Sequence, residues 1–180
     1  DYPTAARRYI ELRSLLKSSL ESGEVPADVI ASAEQALLAV TYQLGRSNQL
    51  SGNCSGASAV FTDLVEDQHA DRLLVAKARL RLGESELCLA EQAETEQNWA
   101  EFATKLSVTR QQSSKLATLL YDDVVEEVSE LVGSAAELET RCTELERRAT
   151  LALLAQTEAH LAASECERAR VTIEQAREYL

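Results

Sequence analysis

Small and apolar residues recur at alternating steps of three and four from Val128 to the last residue of the chain. This heptad spacing predicts one very long helix whose apolar face packs against other helices. The step from Ala152 to Ala155 repeats a three-residue interval, which predicts a stammer in the seam. The face comprises Val128, Leu131, Ala135, Leu138, Cys142, Leu145, Ala149, Ala152, Ala155, Ala159, Ala162, Cys166, Ala169, Ile173, Ala176 and Leu180.

The amino-terminal part carries the same spacing in shorter segments. Residues 4–22 and 30–44 each predict a helix, and the Gly and Pro of residues 23–26 interrupt them. The two segments are compatible with one kinked helix or with a short helical hairpin, and we favour a kinked or broken arm. Residues 45–56 are rich in Gly, Ser and Asn and predict the clearest loop of the chain.

The remaining segment is too long to form a single unpaired helix. A helix from residue 57 to residue 180 would measure about 185 Å at ~1.5 Å per residue, so it must fold back. The polar stretch 109–115 is the best candidate for the turn. The sequence therefore predicts a single all-α domain, an elongated antiparallel helical bundle with coiled-coil-like packing. Its three predicted arms are 4–46 with a break at 23–26, 57–109 and 115–180.

Two features concern the core. Gly83 falls on an apolar stripe, where it predicts either the close approach of another helix or a tolerated helix glycine that costs about 1 kcal/mol. Trp99 and Phe102 begin the next stripe, which continues to Leu106 and precedes the predicted turn. We interpret them as an aromatic plug in the core rather than as a ligand site.

Composition and charge exclude some classes of partner. Only 4% of the residues are aromatic and the net charge is −12. That charge repels phosphate backbones and anionic lipid head groups, so we expect no nucleic-acid partner. No segment has the length and apolarity of a membrane span, so we expect no direct membrane insertion by this part of the protein. The expected state is a monomer or a weak homodimer.

The four cysteines bear on the topology and on the compartment. Cys142 and Cys166 would lie about 36 Å apart on one helix, too far for a bond between them. Nested pairs, Cys54 with Cys166 and Cys88 with Cys142, would both centre a hairpin on residues 110–115, whereas crossed pairs fit no single hairpin. We therefore predict the nested disulfides. The alternative is four free thiols in a cytosolic bundle.

A glycosylation motif favours the first of these alternatives. Asn53-Cys54-Ser55 matches the N-glycosylation sequon and lies in the predicted loop, where a glycan needs to be. Together with an even number of cysteines it predicts a secreted or cell-surface protein, with Asn53 as the modified residue.

No pattern in the chain predicts catalysis, a metal or a cofactor. A di-metal site in a helical bundle needs two Glu-x-x-His pairs, and only Glu66 and His69 form one, since Thr157 precedes His160 at that spacing. The cysteines and histidines lack the local spacing of a zinc site. We expect no enzyme, no metal and no cofactor.

The bias towards Ala and Glu, the sequon at Asn53, the cysteines and the three predicted helical arms resemble the helical surface proteins of African trypanosomes. The nearest group is the glutamic acid/alanine-rich coat proteins of the insect stages of Trypanosoma congolense. This resemblance implies a glycosylphosphatidylinositol-anchored protein on the extracellular face of the plasma membrane, which shields the parasite in its insect vector.

Two other functions remain open from the sequence. Related trypanosome receptors share an elongated helical shape, which suggests a surface receptor for a host or vector ligand. In the predicted three-arm bundle, such a ligand would contact the pole formed by residues 99–115 and the first helix. The second alternative is an intracellular coiled-coil adaptor.

Overall fold

The computed structural model describes residues 2–23, 25–120 and 126–179. In these ranges the chain forms α-helices joined by short turns and contains no strand. The prediction of an all-α protein is therefore confirmed. The helices are α1 (Tyr2–Ser22), α2 (Ile30–Leu50), α3 (Cys54–Glu66), α4 (Arg72–Thr95), α5 (Trp99–Leu120), α6 (Glu126–Ala162) and α7 (Cys166–Arg177).

Local chemistry explains several of the helix boundaries. The side chains of Asn53 and Asp71 cap α3 and α4 by accepting hydrogen bonds from backbone N–H groups in the first turn. Gln97, with φ of 55°, and Ser164, with φ of 61°, take the left-handed conformation that ends α4 and α6. The chain thus turns at 51–53, 67–71, 96–98 and 163–165.

Each helix packs mainly against its neighbours in the sequence. The pairs α1–α2, α2–α3, α3–α4, α4–α5, α5–α6 and α6–α7 are all in contact, and α4 also contacts α2 and α6. The largest apolar cluster joins α4, α5, α6 and α7, while a second cluster centred on Phe61 joins α2, α3 and α4. The helix α4 therefore lies at the centre of the fold.

The predicted turn at 109–115 is wrong, because these residues lie inside α5. Their polar side chains form hydrogen bonds while the backbone remains helical. Thr109 is fully buried and donates to the carbonyl of Lys105 at 2.9 Å, and Gln112 accepts from Arg79 of α4 at 2.8 Å. A polar stretch in a helix can therefore be an interhelical contact rather than a loop.

The predicted arms also differ from the observed elements. The residues of 4–46 form the hairpin of α1 and α2, which is the alternative that we did not favour. The segments 57–109 and 115–180 are interrupted at 67–71, 96–98 and 163–165. Residues 121–125 lie outside the described part of the chain.

Most of the predicted loop at 45–56 is helical, because α2 continues to Leu50 and α3 begins at Cys54. Gly45 has a packing role in this helix. A Cβ atom at this position would lie 2.7 Å from the ring of Phe61, which is too close for a carbon contact. The glycine therefore allows α3 to approach α2 rather than ending the helix.

The heptad seam is correct from Leu131 to Ala149 and again at Ala169 and Ala176 of α7. Leu131, Ala135, Leu138, Cys142, Leu145 and Ala149 are all buried, as are Ala169 and Ala176. The side chains of Val128 and Leu180 lie outside the described part of the chain. Between the two correct parts the buried face continues by steps of four through Leu153 and Thr157, whereas Ala155, Ala159 and Ala162 are exposed. The predicted stammer is therefore wrong.

The structure decides between the two alternatives for Gly83 and confirms the prediction of an aromatic plug. A Cβ at position 83 would lie 2.6 Å from Cδ2 of Leu138, so Gly83 permits the close approach of α6 to α4. Trp99 and Phe102 are buried and meet edge to face, with ring centroids 5.9 Å apart. Phe102 also contacts Tyr179 in the same geometry.

Candidate functional site

Three of the five predicted site residues, Asn53, Cys54 and Cys88, lie at the contact of α3 with α4. Cys54 is the first residue of α3 and Cys88 lies in α4, and the two form a disulfide with their Cα atoms 6.2 Å apart. The bond links the amino-terminal end of α3 to α4 across the turn at 67–71.

The nested pairing of Cys54 with Cys166 and of Cys88 with Cys142 is therefore wrong. It assumed a single hairpin centred on 109–115, whereas the chain already reverses between α3 and α4. Two cysteines that flank a local helical hairpin face each other when its turn lies midway between them.

The other two cysteines are free thiols in different surroundings. Cys142 is fully buried on the α6 seam, and burial raises the pKa of its thiol to about 11. Since the thiolate is the reactive form, Cys142 is an inert core residue near neutral pH. Cys166 is exposed at the start of α7.

Asn53 is exposed and caps α3 beside the disulfide. Its Oδ1 accepts hydrogen bonds from the backbone N–H of Gly56 at 3.1 Å and from the hydroxyl of Ser55 at 3.3 Å. Both bonds involve Oδ1, so the cap does not use Nδ2, the atom to which a glycan would be attached. A Cβ at Gly56 would lie 2.4 Å from this Nδ2. The glycine therefore keeps space open for the side chain of the sequon.

Two residues before Cys88, a buried carboxylate of α4 joins three helices. Glu86 is 5% exposed; Ser58 of α3 donates to its Oε1, and Nζ of Lys105 in α5 lies 3.2 Å from its Oε2. Oε1 thus accepts a hydrogen bond, whereas Oε2 has the ammonium of Lys105 as an ion-pair partner but accepts no hydrogen bond from the described residues. A buried ion pair of this kind fixes the positions of the helices relative to one another. It is less suited to proton transfer to or from a substrate.

No motif in the sequence predicted this ion pair. Its signal was weak: Glu86 is a charged residue between Gly83 and Leu87, two members of the apolar stripe of α4. The partners Ser58 and Lys105 are distant in sequence, so only the packing of α3 and α5 on α4 brings them together.

A second charged cluster connects α5 with α6. Arg110 donates two hydrogen bonds to Glu146, at 2.6 and 2.7 Å, and a third to Glu139 at 3.1 Å. Burial opposes the charged form of Arg110, but the two carboxylates raise its pKa above the ordinary value. The adjoining cleft of about 250 Å³ includes Tyr179, whose hydroxyl donates to the carbonyl of Trp99 at 2.9 Å.

The residues considered for a metal do not come together. His69 interacts with Asp67, and His160 contacts Glu165 at 2.8 Å, each through Nδ1. In the described ranges no three His, Cys, Asp or Glu side chains form a group that could hold a metal ion. In the same ranges no helix combines the length and the apolar character that a membrane crossing requires.

The predicted ligand pole at 99–115 is not a pole in the structure. Trp99, Phe102, Leu106 and Thr109 face the core of the α4, α5 and α6 cluster.

Comparison with known proteins finds no family model, no curated protein and no solved structure that matches this chain.

Proposed function

We propose that the chain is the ectodomain of a non-enzymatic structural glycoprotein on the extracellular face of the plasma membrane. There it forms part of a protective coat, as its resemblance to the trypanosome coat proteins implies. The observation that carries the proposal is the disulfide between Cys54 and Cys88 next to the exposed Asn53 of a glycosylation sequon.

The disulfide supports an oxidising compartment. Structural disulfides persist in secreted and surface proteins, whereas cytosolic thiols are kept reduced. The same compartment holds the enzymes that glycosylate Asn-x-Ser sequons, and Asn53 is exposed at a helix end. The two features occur on neighbouring residues and require the same cellular environment. A glycosylphosphatidylinositol anchor is part of the proposal through the resemblance alone.

The form of the molecule suits a shielding layer. Its accessible surface is 10573 Å², compared with about 8,600 Å² expected for a compact monomer of similar mass. Sequential packing of hairpins also favours an elongated over a spherical shape. With a net charge of −12, neighbouring molecules in a dense layer would repel one another and remain hydrated. Small-angle scattering that fits a sphere would contradict the elongated shape.

The non-enzymatic part of the proposal is supported by the state of the polar groups. The buried carboxylate of Glu86 is held by Ser58 and Lys105, and the buried thiol of Cys142 has a pKa of about 11. These groups are fixed or inert, whereas catalytic groups are poised near the working pH and face a substrate.

Three measurements on the protein from its native cells test the proposal. Peptide mapping without reduction should recover Cys54 bonded to Cys88, and glycosidase treatment should lower the mass of the peptide that contains Asn53. Antibody labelling of unpermeabilised cells should stain the surface. Four alkylatable thiols with cytoplasmic staining would instead favour the adaptor, and one saturable host or vector partner would favour the receptor.

A further inference from the structure

The surface of α6 carries two leucines that no other helix of the described residues covers. Leu151 and Leu154 are 52% and 44% exposed. They point away from the buried face of the same helix, which contains Leu153 and Thr157. With Arg147 and Glu158 they follow the four-three-four spacing of a coiled-coil seam. We call Arg147, Leu151, Leu154 and Glu158 the outer seam.

We propose that the outer seam is a self-association surface, on which the α6 helices of two copies of this chain pack antiparallel about a twofold axis between residues 152 and 153. This inference does not rest on the proposed function. A twofold contact uses the same patch on both copies, so the patch must be complementary to itself.

Charge complementarity identifies the occupant as a second copy. With the axis between residues 152 and 153, Leu151 lies opposite Leu154 of the other copy, and Arg147 lies opposite Glu158. Symmetry repeats both pairs, so four leucines are flanked by two pairs of opposite charge. In antiparallel helices such flanking pairs fix the register and exclude wrong ones.

The charged residues of the outer seam are available for this contact. Arg147 is bonded only within its own helix, to Glu144 at 2.7 and 2.9 Å, and its side chain is 60% exposed. Glu158 is exposed, and its carboxylate forms no hydrogen bond or ion pair with the described residues. A carboxylate of a second copy would add a second acceptor to the guanidinium of Arg147.

The overall charge keeps this association weak. The molecule carries a net charge of −12, so most pairs of surfaces repel. The neighbouring Arg141 and Arg148 do not offset this charge, because they pair with Glu91 and Glu94 of α4. The seam covers little area, and contacts of this size are weak and transient.

The experiment follows mass against concentration for the intact chain, by sedimentation velocity from about 10 μM to about 1 mM, the range in which small interfaces associate. We expect the average mass to rise towards that of a dimer. Leu154→Glu should abolish the rise. Leu15→Glu is the matched control, because Leu15 is 67% exposed on α1, outside the outer seam.

A charge exchange tests the register. Arg147→Glu places four carboxylates at the contact and should raise the dissociation constant at least about tenfold. The double variant Arg147→Glu with Glu158→Arg restores opposite charges and should recover the original constant. A constant monomer mass, an effect of Leu15→Glu equal to that of Leu154→Glu, or failure of the double variant to recover association would overturn the proposal.

Discussion

Replacing Lys105 with Met removes the cation that lies 3.2 Å from the buried carboxylate of Glu86. Met keeps most of the apolar stem of the lysine, so the change isolates the charge from the packing. The carboxylate then retains only the hydroxyl of Ser58 as a partner. We expect the protein to remain folded but to lose free energy of unfolding.

The magnitude follows from the burial of the two groups. Their side chains are 6% and 25% exposed for Glu86 and Lys105. Removing one partner of a fully buried ion pair costs about 3 to 5 kcal/mol. Because Lys105 reaches solvent, screening lowers this figure, and we expect a loss of about 2 to 3 kcal/mol.

A double variant shows whether the loss comes from an orphaned charge. Glu86→Leu combined with Lys105→Met replaces the pair by apolar side chains, and such replacements are often neutral or stabilising. The double variant should therefore be more stable than Lys105→Met alone. In the single variant Glu86→Leu, the Lys105 side chain can turn towards water. Glu86→Leu should therefore lower the free energy of unfolding by less than Lys105→Met does.

Urea unfolding followed by circular dichroism at neutral pH supplies the free energies, and equal m-values would show that the unfolded states are comparable. If Lys105→Met lowers the free energy of unfolding by less than about 0.5 kcal/mol, the reasoning is refuted, because exposed surface ion pairs contribute about that much. A double variant less stable than Lys105→Met would refute the assignment of the loss to the uncompensated carboxylate.

Three further predictions concern packing, the disulfide and a buried phenol. Gly83→Ala should cost about 1 to 3 kcal/mol because its Cβ would lie 2.6 Å from a leucine of α6, whereas Gly133→Ala, with nothing within 4 Å, should stabilise by up to about 1 kcal/mol. Thermal melting compares them, and equal effects would contradict the close approach. Cys88→Ala opens a loop of sequence separation 34 and should cost about 3 to 4 kcal/mol in urea unfolding. The control Cys166→Ala should change stability little, and a similar loss there would contradict the assignment. Burial raises the pKa of Tyr179 from 10.0 to about 12. Stability linked to this phenol is therefore complete below pH 10 and is lost as the pH rises towards 12, because the unfolded state ionises first. The variant Tyr179→Phe should remove this part of the pH dependence, and an unchanged profile would contradict it.

The sequence predicted the helical class and half of the long seam because these depend on local periodicity. Leu131 to Ala149 follow the helical period closely enough for the buried face to be evident. The prediction failed between Ala149 and the end of α6, where two candidate faces carry apolar residues and only the position of α7 decides between them.

The turns and the disulfide were mispredicted for a different reason. Composition at 109–115 is polar, but the polar groups are satisfied across helix contacts that a single sequence does not display. The true reversal at 96–98 depends on the left-handed backbone of Gln97, a residue with no strong turn preference. Since the predicted cysteine pairs assumed the wrong turn, they failed together with it.

The order of packing along the chain has a consequence for biosynthesis. A chain synthesised from its amino terminus forms its early hairpins first, and helices that contact their sequence neighbours need no later segment to do so. Cys54 and Cys88 can therefore meet while Cys142 and Cys166 have not yet been translated. Correct pairing among the four thiols then follows from the timing of their appearance, and little disulfide rearrangement is needed afterwards.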